Sequence, residues 1–162
     1  LGAPGFIDYI IPCNNVIDKL IKVDLMNILL VEKNKASRPL YLFFDRISEG
    51  LYIKIFNKFQ SYVQHGDVYY GNHLKTLNSK IWKYKGTIYK LRIDSDKESA
   101  RVLFSKSKNG DLIIIHAFLK STRKTPAKQA QQAIAIYQML DSLKTERWGK
   151  QPALPDEDIV DN

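Results

Sequence analysis

The spacing of apolar and polar residues divides this chain into segments of different period. Asn27–Glu32 is a short, nearly continuous apolar run whose length suits a buried strand. After Ser37-Arg38-Pro39 the spacing becomes helical. Ser37 is placed to cap, Pro39 suits an early helical position, and Leu40, Phe43, Phe44 and Ile47 form one stripe. Gly50 is expected to end this helix. A second helix is expected from about Leu51 to Gln64, with Ile55, Phe59, Tyr62 and Val63 on its apolar face and Gly66 as its stop. Two helices so close in sequence predict an antiparallel αα-hairpin.

The period then shifts to two. Ile81–Tyr84 and Thr87–Ile93 read as strands around a tight turn at Lys85-Gly86. Ala100–Lys106 and Asp111–Leu119 flank Asn109-Gly110, the strongest short-range hairpin signal. Thr125-Pro126 is expected to open a last helix, Thr125 as N-cap and Pro126 at the first position, with Ala130, Ala133, Ile134, Tyr137, Leu140 and Leu143 mainly on one face. This order predicts an α+β fold: an antiparallel sheet of about four or five strands, an N-terminal αα-hairpin and a C-terminal helix. The helices are expected on one face of the sheet, leaving the other open for binding. Pro4, Gly5, Pro12 and Asn14-Asn15 break any pattern near the start, although Val16–Leu25 has the spacing of a short helix. The expected organisation is an extension over 1–25, a domain over 26–149 and an acidic, disordered tail over 150–162.

Charge sharpens the picture. The 162 residues include 25 Lys+Arg and 17 Asp+Glu, a formal net charge of +8. In the tail Lys150 stands against Asp156, Glu157, Asp158 and Asp161, a net of −3, so residues 1–149 carry +11. Such a body is drawn to polyanions or to an acidic protein. The one cysteine, Cys13, forms no internal disulfide and fits a reducing cytoplasm. No apolar run reaches the roughly 18 residues that span a bilayer, and residues 1–12 lack the basic start of a secretory signal, so no membrane partner is expected.

The familiar catalytic signatures are absent: there is no phosphate-binding glycine loop and no nucleophile elbow. His65, His73 and His116 do not make a zinc spacing, so no metal or cofactor is expected. Asp94, Asp96, Glu98 and Asp111 fall around turns and read as solvated charges. What remains is basic residues on strands. Alternation puts Ile88, Lys90 and Arg92 on one face, and Tyr89, Leu91 and Ile93 on the other, which belongs to the core. Arg101 opens the next strand, and Lys120, Arg123 and Lys124 follow the last. One exposed cation on a sheet is ordinarily a solvated charge; cations from three segments on one face make a phosphate-binding concavity. His116, inside an apolar strand, reads as a hydrogen-bonded structural histidine, and Tyr89 as core.

Tyr89-Lys90-Leu91-Arg92-Ile93, Ala100-Arg101-Val102-Leu103-Phe104 and the run His116–Pro126 (His-Ala-Phe-Leu-Lys-Ser-Thr-Arg-Lys-Thr-Pro) resemble strand and signature motifs of the RelE/ParE toxin superfamily, in its HigB-like, phage-derived subgroup. The resemblance covers roughly residues 27–145. Ala117 stands where the signature has Gly, and Ser121 where it has a second Lys. The resemblance implies the toxin of a type II toxin–antitoxin pair, a ribosome-dependent endoribonuclease cutting mRNA by metal-independent 2′-OH attack, with a cognate antitoxin, mRNA and the ribosome as partners. In that case Arg92, Arg101 and Lys120 are catalytic, with Lys90 sharing the candidacy for general acid, and Lys90, Arg123 and Lys124 bind RNA phosphate. Relatives on the same fold poison gyrase, and a member without catalysis would only bind nucleic acid or protein; fold alone does not choose among these.

Overall fold

The computed structural model describes residues 27–32, 38–65, 72–121 and 125–148. The proposed extension over 1–25, the acidic tail over 150–162, the Ser37 cap, the Gly66 stop, Arg123 and Lys124 lie outside the described residues. The described chain is α+β. Its elements are β1 (Ile28–Glu32), α1 (Pro39–Arg46), α2 (Glu49–His65), β2 (Leu74–Thr76), α3 (Ser79–Trp82), β3 (Tyr89–Asp94), β4 (Ser99–Lys106), β5 (Leu112–Leu119), α4 (Ala127–Gln138), a 3-10 turn (Leu140–Ser142) and β6 (Lys144–Arg147).

The strands form one six-stranded sheet in the order β2-β3-β4-β5-β1-β6. The expected β4–β5 hairpin forms at Asn109-Gly110, with Gly110 at φ 93°. The sheet is mixed, not wholly antiparallel: β1 runs parallel to β5, with Ile28 opposite Leu112. A strand separated from its neighbour by so much chain has no turn to force antiparallel pairing. Both edge strands, β2 and β6, escaped the sequence reading. They have three and four residues, too few to show a period.

Ile81–Tyr84, read as a strand, belongs to a helical turn. The Asn78 side chain accepts from the backbone N–H of Lys80 and Ile81 at 3.0 and 2.9 Å, which caps α3. Lys83 ends α3 in the left-handed conformation, φ 56°. Lys85-Gly86 therefore joins α3 to β3 and does not join two strands. Gly50 does not end α1. It sits in the first turn of α2, where the Ser48 hydroxyl accepts the N–H of Leu51 at 3.2 Å and serves as the cap. The expected packing of α1 and α2 on each other is subordinate. They touch through Phe44 and Tyr52, while α1 packs mainly on β1 and β5, and α2 on β3.

The helices do not share a face of the sheet. On one side Phe59 of α2 meets Phe104 of β4 edge-on, with ring centroids 5.2 Å apart, and Phe104 stacks on Tyr89. Trp148, just after β6, joins this cluster against Phe44, Phe56 and Phe59, and its indole N–H donates to the Tyr52 hydroxyl at 3.0 Å. On the other side, α4 lays Ala130, Ala133 and Ile134 into the core, and Gln129 reaches His116 of β5. Strand alternation separates the two sides: Leu103 pairs with His116, and its neighbour Phe104 points the opposite way. The result is three layers, with the sheet in the middle.

Gly86 marks the tightest approach. Its φ is 105°, and a Cβ added there would run into the Tyr137 ring and hydroxyl, the same hydroxyl that accepts the N–H of Thr87 at 3.2 Å. Gly86→Ala combines left-handed strain with a clash. It is expected to cost at least about 1–2 kcal/mol, a fall in Tm of roughly 4 °C or more by thermal melt. An unchanged Tm would show that α4 is not docked there.

Candidate functional site

The α4 helix covers only part of its face of the sheet. Beyond it, at the β2–β3–β4 end, lies a cavity of about 190 Å³. Lys75 of β2, Lys90 and Arg92 of β3, Arg101 of β4 and Lys120 after β5 line it, with Asn72 and His73 at its rim. Register explains the convergence. Lys75 pairs with Lys90, Arg92 pairs with Arg101, and Arg101 pairs with Phe118, two residues before Lys120. Residues directly opposite in neighbouring strands share a face, and i, i+2 residues repeat it.

Neutral and acidic groups hold these cations in place. Arg92 Nε donates to Asp94 Oδ2 at 2.8 Å. Asp94 Oδ1 accepts from the Ser99 hydroxyl at 2.5 Å, and Arg101 Nη1 donates to that hydroxyl at 2.8 Å and to the Ala100 carbonyl at 3.0 Å. A chain Arg92–Asp94–Ser99–Arg101 thus fixes both guanidinium groups. Lys90 Nζ donates to Thr125 Oγ1 at 2.7 Å. That contact corrects the expected role of Thr125: the α4 N-cap is Pro126, with no side-chain cap, and the Thr125 hydroxyl serves the cleft instead.

The field is cationic. Partial burial, then repulsion from Lys120, Arg101 and Lys75, lowers the pKa of Lys90. Burial, then Arg101 and Arg92, lowers that of Lys120. The hydrogen bond from Ser99, with help from Arg92, lowers the pKa of Asp94, which stays an anion and neutralises part of one arginine. An anionic ligand would relieve all of these repulsions at once.

Of the residues singled out from the sequence, Lys90, Arg92, Arg101 and Lys120 come together here. Lys75, Asn72 and His73 were missed; they sit on or beside a strand of three residues, and only Lys75 facing Lys90 across the edge pair could have signalled them. His116 stands apart, its Nε2 2.6 Å from Gln129 Oε1, with burial lowering its pKa. It is a bridge between β5 and α4. Tyr89 is half-buried on Phe104, as its strand position implied. Among the described residues no cluster of three or more His, Cys, Asp or Glu is arranged to hold a metal ion, and no helix is long and apolar enough to cross a membrane.

A six-stranded α+β scaffold bearing a basic cleft is the setting in which the sequence comparison falls. The model of the phage-derived Gp49-like protein family (DUF891) matches residues 42–138. The chain belongs to this family, a toxin-type, phage-derived family of the RelE/ParE-like superfamily. No curated protein is detectably similar to the chain in sequence.

The lowered pKa of Lys90 has a consequence for stability. A lysine whose pKa is lower folded than unfolded destabilises the fold while charged in both states. That penalty disappears as pH rises from the folded value to the ordinary one near 10.5. Wild-type stability is therefore expected to rise relative to Lys90→Met between pH 7 and pH 10.5, measured by urea titration. Parallel pH curves for the two proteins would show that Lys90 is not under this strain.

Proposed function

We propose that this protein is the HigB-like toxin of a type II toxin–antitoxin pair and that it cuts mRNA on the ribosome. The observation that carries the reading is the convergence of Lys75, Lys90, Arg92, Arg101 and Lys120 on one cavity, with Asp94 as the carboxylate bonded within it. RNA brings its own nucleophile. The 2′-oxygen attacks the adjacent phosphorus, the bond from phosphorus to the 5′-oxygen breaks, and the products are a 2′,3′-cyclic phosphate and a 5′-OH. The 2′-OH gives up one proton and the leaving oxygen takes one.

The protein's share is to align, to neutralise the phosphorane and to move those protons. Arg92 and Arg101, tied together through Asp94 and Ser99, are the phosphate clamp, because a guanidinium matches phosphate oxygens bidentately. Lys120 and Lys90 supply further positive charge, and their lowered pKa values suit proton transfer. Arg123 and Lys124, which follow β5 and Lys120 in sequence, are expected to extend the phosphate contacts. The reaction needs no metal, and a cognate antitoxin in the cytoplasm is expected to silence it.

Arg101→Ala is expected to slow cleavage by about 10²–10³, the usual effect of losing one transition-state donor. Its Tm should stay close to wild type, since the lost bonds are to a hydroxyl and a neighbouring carbonyl. Arg101→Lys should recover only part of the rate. The assay is mRNA cleavage with and without ribosomes at fixed salt, alongside gyrase supercoiling. Wild-type cleavage by Arg101→Ala would sink the proposed site. Inhibited supercoiling without RNA cleavage would move the protein to the gyrase-poisoning branch. Cleavage is expected to survive EDTA, with a control that the ribosome, which itself needs Mg²⁺, is still intact; loss of cleavage on intact ribosomes, restored by Mg²⁺, would point to another mechanism.

A further inference from the structure

Residues 72–93 contain no Asp or Glu and six cations: Lys75, Lys80, Lys83, Lys85, Lys90 and Arg92. The cleft uses Lys75, Lys90 and Arg92. The other three belong to α3 and the turn after it, where Lys80, Lys83 and Lys85, together with Ser79, Tyr84 and Gln138, line a separate open concavity. All three lysines are exposed, and among the described residues no carboxylate pairs with any of them. Beside them Ile81 is 68% exposed, an apolar surface with no partner in the core.

Lys83 adds an independent observation. Its backbone is left-handed, φ 56°, and it is the single non-glycine residue with positive φ among the described residues. A lysine there is strained, where Gly or Asn would fit at lower cost. The left-handed residue closes α3, a task Gly or Asn would do at lower cost; a lysine kept there is the kind of cost that persists where the side chain has a use.

We propose that Lys80, Lys83 and Lys85 form a second RNA-backbone contact, gripping the sugar-phosphate chain of the same single strand whose scissile phosphate enters the cleft. The inference rests on the RNA reading above and extends it. Lys85 lies seven residues before Arg92, so the two contacts are at most about 25 Å apart along the chain, within reach of a few nucleotides. Lysines without bidentate partners suit such a contact, since they act as point charges on phosphate and carry no base code. Exposed Ile81 gives a base a surface to lie on. The partner is accordingly single-stranded RNA, held without sequence preference.

The test is equilibrium binding of a fluorescein-labelled, fully 2′-O-methylated single-stranded RNA, which has no 2′-OH to attack. Anisotropy is measured from 50 to 200 mM salt. The variants are Lys80→Gln/Lys83→Gln/Lys85→Gln, Arg92→Gln/Arg101→Gln and Lys83→Gly, with a poly-glutamate arm as the acidic-protein control. Losing three phosphate contacts should flatten the slope of log affinity against log salt by about 2, at roughly 0.7 per contact. The advantage of wild type over the triple variant then shrinks about fifteenfold across that range. Lys83→Gly should bind RNA more weakly and melt no lower than wild type, a combination a merely structural lysine would not give. If the triple variant keeps the wild-type slope while the arginine pair loses affinity, this contact is wrong and the cleft reading stands. If the triple variant loses poly-glutamate binding but not RNA, the surface belongs to an acidic protein and the proposal is overturned. If wild-type protein does not bind the RNA, this contact is again overturned, and the cleavage assay judges the cleft on its own.

Discussion

The site depends on unequal coverage of a sheet whose side chains alternate. One face of β3, β4 and β5 is sealed by the aromatic cluster of Phe59, Phe104 and Trp148. The other receives only α4, which buries Ala130, Ala133 and Ile134 and leaves the cavity lined by Lys75, Lys90, Arg92, Arg101 and Lys120 open. Once Leu91 and Val102 are committed to the sealed face, Lys90, Arg92 and Arg101 have no alternative to the uncovered one. A slip of one residue of β3 against β4 would turn Lys90 and Arg92 under α2, so the packing of the core itself fixes where the charge goes.

That placement opposes stability locally. Lys75 faces Lys90 and Arg92 faces Arg101 directly across strand pairs, and like charges so placed are destabilising. The fold accommodates them through hydrogen bonds that restrain direction more than they cancel charge. Asp94 takes Arg92, Ser99 relays to Arg101, and Thr125 holds Lys90 at the entry to α4. Thr125 is informative because the same hydroxyl could have capped the helix; pointed at Lys90, it leaves α4 without a side-chain cap.

Elements with enough residues to show a period were legible in the sequence: β1, α1, α2, β3, β4, β5 and α4. So was the basic face of β3 and β4, because alternation over five residues suffices to separate Lys90 and Arg92 from Leu91 and Ile93. Three things were not legible. The edge strands β2 and β6 are too short to carry a pattern, which hid Lys75 and its neighbours His73 and Asn72. The α3 turn spans residues that alternate like a strand, and its identity lies in the Asn78 cap, one side chain making two hydrogen bonds. The side on which α4 packs depends on the parallel β1–β5 pairing and the three-layer arrangement, which no local window contains. Trp148 was missed for the same reason: its partners are Phe44, Phe56 and Phe59, about ninety residues or more away.

The chemistry of the cleft bears on which class of partner it suits. Surfaces that dock proteins concentrate aromatic and apolar side chains at their centre and are depleted in lysine. This cavity is lined by Asn72, His73, three lysines and two arginines, with no apolar side chain among them. The lysines and the tethered guanidinium pair also divide labour in a way that suits a phosphodiester. Arg92 and Arg101 are held in fixed directions, as bidentate contact with a defined oxygen pair requires. Lys75 and Lys120 add positive charge to the same cavity as compact ammonium groups. The signature position with a second lysine holds Ser121 here, so the charge count at that corner is lower, while Lys75 enters the cleft from the edge strand. A site selected only to cover itself with an acidic protein segment would gain nothing from orienting two arginines through a shared carboxylate and hydroxyl. A site that must stabilise a pentavalent phosphorane would, because donors already aimed at the developing charge need no reorganisation when it appears.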